Sequence, residues 1–213
     1  MKKLIPILLA VFAFAACEKE PDMGKLDNEY LVFTNYDKSA DFKTFTSYYI
    51  PDSIMVISNK KEPDYLKDEG AMQIINTFVK NMDANGYTRV MDKASANLGL
   101  QVSYIQSTYY FSNYGDDSYW WNQYPGYWSP WYWGNWGNWY YPYSAVYSYR
   151  TGSVLAEMVN LKAEKGTTAK LPVIWNTYIT GLLNYDGSLS ASRTVRAVEQ
   201  AFKQSPYLTN KGN

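Results

Sequence analysis

The chain has 213 residues, with 20 basic and 20 acidic side chains, one cysteine and no histidine. Balanced charge argues against nucleic acid as a partner, because that needs a concentrated basic field. The absence of histidine removes the usual general base, the Ser-His-Asp and Cys-His pairs and the commonest metal ligand; carboxylate or lysine chemistry stays open, and the expectation is a non-catalytic protein with no cofactor and no metal.

In chain order, Lys2 and Lys3 precede an apolar run from Leu4 to Phe14 broken only by Pro6, and Ala15 and Ala16 then lead to Cys17. This is the layout of a secretory signal with small residues at its cleavage point. Its apolar core is too short to span a bilayer. Phe14-Ala15-Ala16-Cys17 reads as a lipobox. Residues 1–16 are therefore expected to be a lipoprotein signal peptide, and Cys17 to carry a palmitate-type membrane anchor. That places the protein in the cell envelope, held by lipid at the outer membrane on its periplasmic or its surface-exposed face. Lys2 and Lys3 leave with the signal, so the mature chain would hold 197 residues with 18 basic and 20 acidic. That is enough for one domain with a real core. Residues 17–28 are charged and poor in large apolar side chains, and read as a flexible tether. Within them, Glu18-Lys19-Glu20-Pro21-Asp22 resembles the charged signal of surface-exported Bacteroidetes lipoproteins.

Residues 29–208 read as a single domain, followed by a tail at 209–213. Strands are expected at 30–33 and 42–50, the second rich in β-branched and aromatic residues and stopped by Pro51 and Asp52. Asp37 and Asp41 read as turn residues. Over 64–85, Ala71, Ile74, Ile75, Phe78, Val79 and Met82 form one apolar stripe with helical spacing. Asp64 is expected to cap this helix and Gly86 to end it. A short strand at 87–91 follows, then long strands at 98–111, 145–161 and 171–183. Leu98, Leu100, Val102 and Tyr104 alternate onto one face, as do Val154, Ala156 and Met158, and Leu171, Val173, Trp175 and Ile179. Trp175 should be buried. Glu157 points the other way and reads as a solvated strand position. Ser188 or Ser190 can cap a closing helix carrying Ala191, Val195, Val198 and Phe202 on one side, with Pro206 as its stop. The order predicts an α+β domain in two layers. Its mixed sheet has a strand-helix-strand unit with a parallel crossover and then an antiparallel meander, and both helices cover one face.

Residues 114–143 interrupt the meander with seven Trp and eight Tyr and no aliphatic residue. They read as an aromatic-rich hairpin insert that supplies surface rather than fold. Trp120, Trp121, Trp128, Trp131, Trp133, Trp136 and Trp139 are its candidate contact residues, since Trp and Tyr join an apolar body to a polar tip. Three readings stay open: a low-complexity loop, a contact surface for an envelope protein, glycan or membrane, and self-association. Aromatics in single-stranded nucleic-acid grooves are interleaved with Lys and Arg, and none stands between Lys93 and Arg150. The Asp116-Asp117 pair lacks the further oxygen ligands of a calcium loop and reads as a turn. No phosphate loop, zinc spacing or nucleophile elbow occurs.

Several segments together resemble the bacterial lipoprotein family called domain of unknown function 4136. They are Asp41-Phe42-Lys43-Thr44-Phe45-Thr46-Ser47-Tyr48, Ala96-Asn97-Leu98-Gly99-Leu100-Gln101-Val102, Gly152-Ser153-Val154-Leu155, Val173-Ile174-Trp175-Asn176-Thr177-Tyr178-Ile179-Thr180-Gly181 and the closing Ser205-Pro206. Asn97 and Asn160 stand where the family commonly has Asp. The resemblance implies an α+β lipoprotein and supplies no activity and no catalytic residue. The expected function is thus a lipid-anchored, non-catalytic envelope protein that displays an aromatic contact loop, with a cell-surface glycan-binding module as the alternative.

Overall fold

Among the described residues, a sheet of nine strands carries two helices on one of its faces. The structure, a computed structural model, describes residues 30–58, 60, 64–107, 138–143, 150–164 and 170–212. The strands are β1 (Leu31–Tyr36), β2 (Ser47–Tyr49), β3 (Ile54–Ile57), β4 (Asp64–Leu66), β5 (Thr88–Arg89), β6 (Leu98–Ile105), β7 (Asn138–Tyr140), β8 (Ser153–Asn160) and β9 (Lys170–Thr180). The helices are α1 (Glu69–Ala84) and α2 (Ala191–Lys203). The sheet runs β1-β9-β8-β6-β2-β5, with β3 also on β6, β4 on β3 and β7 on β9. Both β2 and β3 are parallel to β6, while β6, β8, β9 and β1 are antiparallel neighbours. The expected α+β architecture, with its parallel crossover and antiparallel meander, is therefore present.

The single strand expected at 42–50 is shorter and has a continuation. Asp41 accepts from the Lys43 amide and starts a 3-10 turn at Phe42–Thr44, so the extended part is β2 alone. β3 then resumes along the same edge of β6. The pairing offset is 50 residues at Tyr48–Leu98 and 48 at Met55–Ser103. Two extra residues are thus taken up between β2 and β3, where Pro51 cannot donate to the ladder.

Helix α1 begins four residues later than the sequence suggested, because Asp64 lies in β4 and pairs with Val56. Its cap is Asp68, whose Oδ1 accepts from the Ala71 amide at 2.8 Å. The end is as expected. Gly86 takes φ +94°, its amide bonds Asp83 O at 3.0 Å, and the Tyr87 amide bonds Met82 O at 3.2 Å. That double closure requires a left-handed residue between the helix and its exit. Ala71, Ile74, Ile75, Phe78 and Met82 are buried against the sheet, and each large one contributes about 1.5–3 kcal/mol relative to exposure. Ser190 caps α2, whose Val198, Ala201 and Phe202 complete the same core.

Trp175 is fully buried, as expected. Its ring lies 5.7 Å from that of Phe202 and its Nε1 donates to Ser205 Oγ at 2.9 Å. The segment expected to be a tail is tied down at its start. Asn210 Nδ2 donates to Phe45 O at 2.7 Å, and Thr209 Oγ1 to Asn85 O at 3.1 Å.

Candidate functional site

The side of the sheet away from the helices holds what the alternating pattern does not foretell. Register places Gln101, Glu157, Asn176 and Asn35 side by side across β6, β8, β9 and β1. With strands about 4.8 Å apart, this is a polar row running across four strands. Gln101, Glu157 and Asn176 are fully buried, as is Ser103 two residues along β6. So are Met55, Ile57, Ile105, Leu155, Val159, Leu171 and Val173, none of which belongs to the helix-side core. Both faces are therefore buried. The expectation of a solvated Glu157 is corrected: the residue is inside.

Two tyrosines reach over the row. The Tyr141 hydroxyl donates to Glu157 Oε1, and the Tyr143 hydroxyl donates to Asn176 Oδ1 at 2.9 Å. Their acceptors sit on adjacent strands in one row. Pro142 separates the two residues, and their rings meet edge to face at 5.4 Å and 86°. The segment leaves β7, which pairs in parallel with the first residues of β9, Asn138 beside Lys170 and Tyr140 beside Pro172. Residues 138–143 thus belong to the fold, although the sequence assigns them wholly to a surface insert. Gln101 Oε1, Ser103 Oγ and Asn176 Nδ2 are buried without a hydrogen-bond partner, a cost of about 1–3 kcal/mol each.

Beside this row, the Tyr178 hydroxyl accepts from the Arg150 amide at 2.8 Å and bonds Ser153 Oγ at 2.9 Å. The Tyr178 ring stacks on Phe33 at 6.2 Å. At this edge the face becomes exposed and apolar: Leu31 is 60% accessible and Phe33 45%.

Of the residues singled out in the sequence, Cys17, Trp120, Trp121, Trp128, Trp131, Trp133 and Trp136 lie outside the described residues. Trp139 is in β7. Among the described residues no three His, Cys, Asp or Glu side chains gather to hold a cation, and no helix is long and apolar enough to cross a membrane. The residues sequence reasoning missed are Glu157, Asn176, Tyr141 and Tyr143. One signal was available: Glu157 is the lone charge in the otherwise apolar run Val154–Val159.

Chemically the row is a hydrogen-bonding rail for hydroxyl groups, built on a mixed sheet with two helices behind it. It is set in a domain of the α+β class. Residues 32–207 match the family described as Domain of unknown function (DUF4136), and the chain belongs to that family. The crystal structure of a DUF4136 family protein from Bacteroides thetaiotaomicron is 56% identical and superposes with a TM-score of 0.79, covering 87% of this chain and 100% of that one. A PelC dodecamer from Paraburkholderia phytofirmans reaches a TM-score of 0.40 at 10% identity, covering 85% and 99%. No curated protein matches.

The segments that carried the resemblance have structural duties. Asn97 Oδ1 accepts from the amides of Thr46 and Ser47 at 2.8 and 3.2 Å, fastening β2 to the start of β6. Trp175 and Ser205 bond each other beneath α2.

Proposed function

We propose that this protein is a non-catalytic component of the cell envelope, anchored through lipid on Cys17, whose Trp/Tyr-rich segment is a contact surface. The observation that carries the reading is the way that segment ends. Its last residues are held on the sheet by the β7–β9 pairing and by the Tyr141–Glu157 and Tyr143–Asn176 hydrogen bonds. A stretch with seven Trp that is fastened to a rigid sheet loses less freedom on contact than a free loop does, and so binds at lower cost. Tyr140 is exposed on β7 itself, and Phe33 is exposed where it stacks on Tyr178, two residues along β9 from Asn176. Catalysis is disfavoured at the polar row, because the Glu157 carboxylate is fully buried and already accepts from Tyr141.

The test replaces residues 116–137 with a short Gly-Asn linker, sparing β7 and the two tyrosines. The full-length parent and variant are then used to capture partners from native envelope. The variant is expected to fold cooperatively and lose the captured partners. If it captures the same partners as the parent, the aromatic stretch is not the functional surface. Cys17→Ala tests the anchor in parallel: it should abolish incorporation of labelled fatty acid and release the protein from the membrane fraction.

A further inference from the structure

Away from the polar row, a cleft of about 520 Å³ opens where β9 turns toward α2. Arg150 and Arg193 both line it, together with Gly152, Leu183, Asn184 and Tyr185. No Asp or Glu side chain lines it among the described residues. Asp186, next to Tyr185 in sequence, is directed elsewhere: its Oδ1 accepts from the Ser188 amide at 2.9 Å and from Ser188 Oγ at 2.6 Å.

The walls are set before any ligand arrives. Arg193 Nη1 donates to Leu183 O at 2.6 Å, bracing the loop from within α2. The Asn184 amide bonds Ser188 O at 2.8 Å and the Gly187 amide bonds Asn184 O at 3.0 Å, closing a tight turn. Gly152 has φ +79°, and a Cβ there would stand 2.3 Å from Leu183 Cγ. The backbone therefore passes as close to Leu183 as it can, and only glycine permits it. On this fixed frame the Tyr185 ring is fully exposed, so packing does not account for it.

We propose that this cleft binds an acidic sugar, a uronate whose carboxylate meets the Arg150 guanidinium in the positive field of Arg193 and whose ring lies against Tyr185. A guanidinium presents a planar fork that matches a carboxylate. A tyrosine offers the flat apolar face that a sugar ring covers while its hydroxyl stays in water. The volume falls in the range of small-molecule sites, and a preformed wall reduces the ordering cost of binding. This inference goes beyond the function proposed above and uses none of residues 114–143.

Isothermal titration of the full-length protein in detergent provides the test, with digalacturonate, the matching neutral galactose dimer and inorganic phosphate as probes. Digalacturonate is expected to bind, the neutral dimer not to bind, and phosphate to bind roughly tenfold more weakly or not at all, since it offers charge without a ring. Arg150→Gln should weaken digalacturonate by about tenfold and Arg150→Lys by less, because lysine keeps the charge and loses the fork. Tyr185→Ala should weaken it by roughly threefold. Both positions are exposed, so these variants keep the fold. The variant lacking residues 116–137 should bind digalacturonate unchanged, which separates this proposal from the contact surface. Equal binding of the neutral dimer, equal binding of phosphate, no effect of Arg150→Gln, or no binding of digalacturonate would each overturn it.

Discussion

The Tyr141–Glu157 hydrogen bond can be isolated by a double-mutant cycle. Glu157 is fully buried and Tyr141 is 8% accessible, so solvent cannot replace either partner. Tyr141→Phe removes one hydroxyl and leaves the buried Glu157 oxygen without that donor, a loss of about 1–3 kcal/mol. Glu157→Leu takes away the buried carboxylate and leaves the Tyr141 hydroxyl without that acceptor, a loss of about 1–3 kcal/mol. The double variant removes both groups at once and puts apolar surface against apolar surface, an exchange that is often neutral. Tyr141→Phe should therefore cost about 2 kcal/mol in the parent and under about 0.5 kcal/mol when Glu157→Leu is already in place. Urea unfolding followed by circular dichroism measures this directly, provided the m-value is unchanged. In a domain of this size 1 kcal/mol moves the melting temperature by about 2–4 °C. A coupling below about 0.5 kcal/mol would mean that the tyrosine does not hold the segment to the sheet, and the anchoring argument for the aromatic stretch would fall with it.

Two further outcomes follow from the helix side. Trp175→Ala should destabilise the fold by about 3–5 kcal/mol, and Ser205→Ala by about 1–3 kcal/mol by orphaning the buried indole N–H; a Ser205→Ala midpoint in urea equal to the parent's would show that the bond is not a structural fastening. The Tyr48 and Tyr87 hydroxyls are pushed up from the ordinary value of 10.0 by burial, Tyr48 also by its hydrogen bond to Asp83. Their folded pKa lies above the unfolded one, so the stability that goes with the neutral form is complete below pH 10 and declines as pH rises beyond it. Unfolding free energy measured from pH 9 to 11.5 should fall, and Tyr48→Phe should make the fall shallower; an identical slope in the variant would place that ionisation elsewhere.

The helices were legible because their signals are local. Ala71, Ile74, Ile75, Phe78 and Met82 recur with one period and meet one surface, and Gly86 marks a stop that few other residues can make. The start of α1 was misplaced by one acidic residue for another, Asp64 for Asp68. Both can cap, and only the pairing of Asp64 with Val56 decides between them. Strand β3 was not legible, since Ile54–Ile57 is short and gains its identity from β6, some 48 residues away. The parallel crossover was legible from element order, because connection rules leave few alternatives once a helix separates two strands.

The second face escaped for a different reason. Alternation predicts a solvated side wherever polar residues fall at every other position, and β6 and β8 carry Gln101, Ser103, Ser153 and Glu157 there. That inference fails when another part of the chain brings hydroxyl groups to meet them. Tyr141 and Tyr143 do so from 16 and 33 residues away in sequence from their acceptors, a distance no period can report. Tyrosine is suited to this: its ring is at home on a buried apolar face while its oxygen reaches a polar row. The aromatic excess and the polar row are thus two halves of one arrangement, and neither is interpretable alone. A tyrosine-rich segment with no aliphatic residue lacks a core of its own, and a strand with a lone buried acid lacks a partner. Pairing the two accounts for both at residues 141–143, and it gives the aromatic stretch a fixed point of attachment on the sheet.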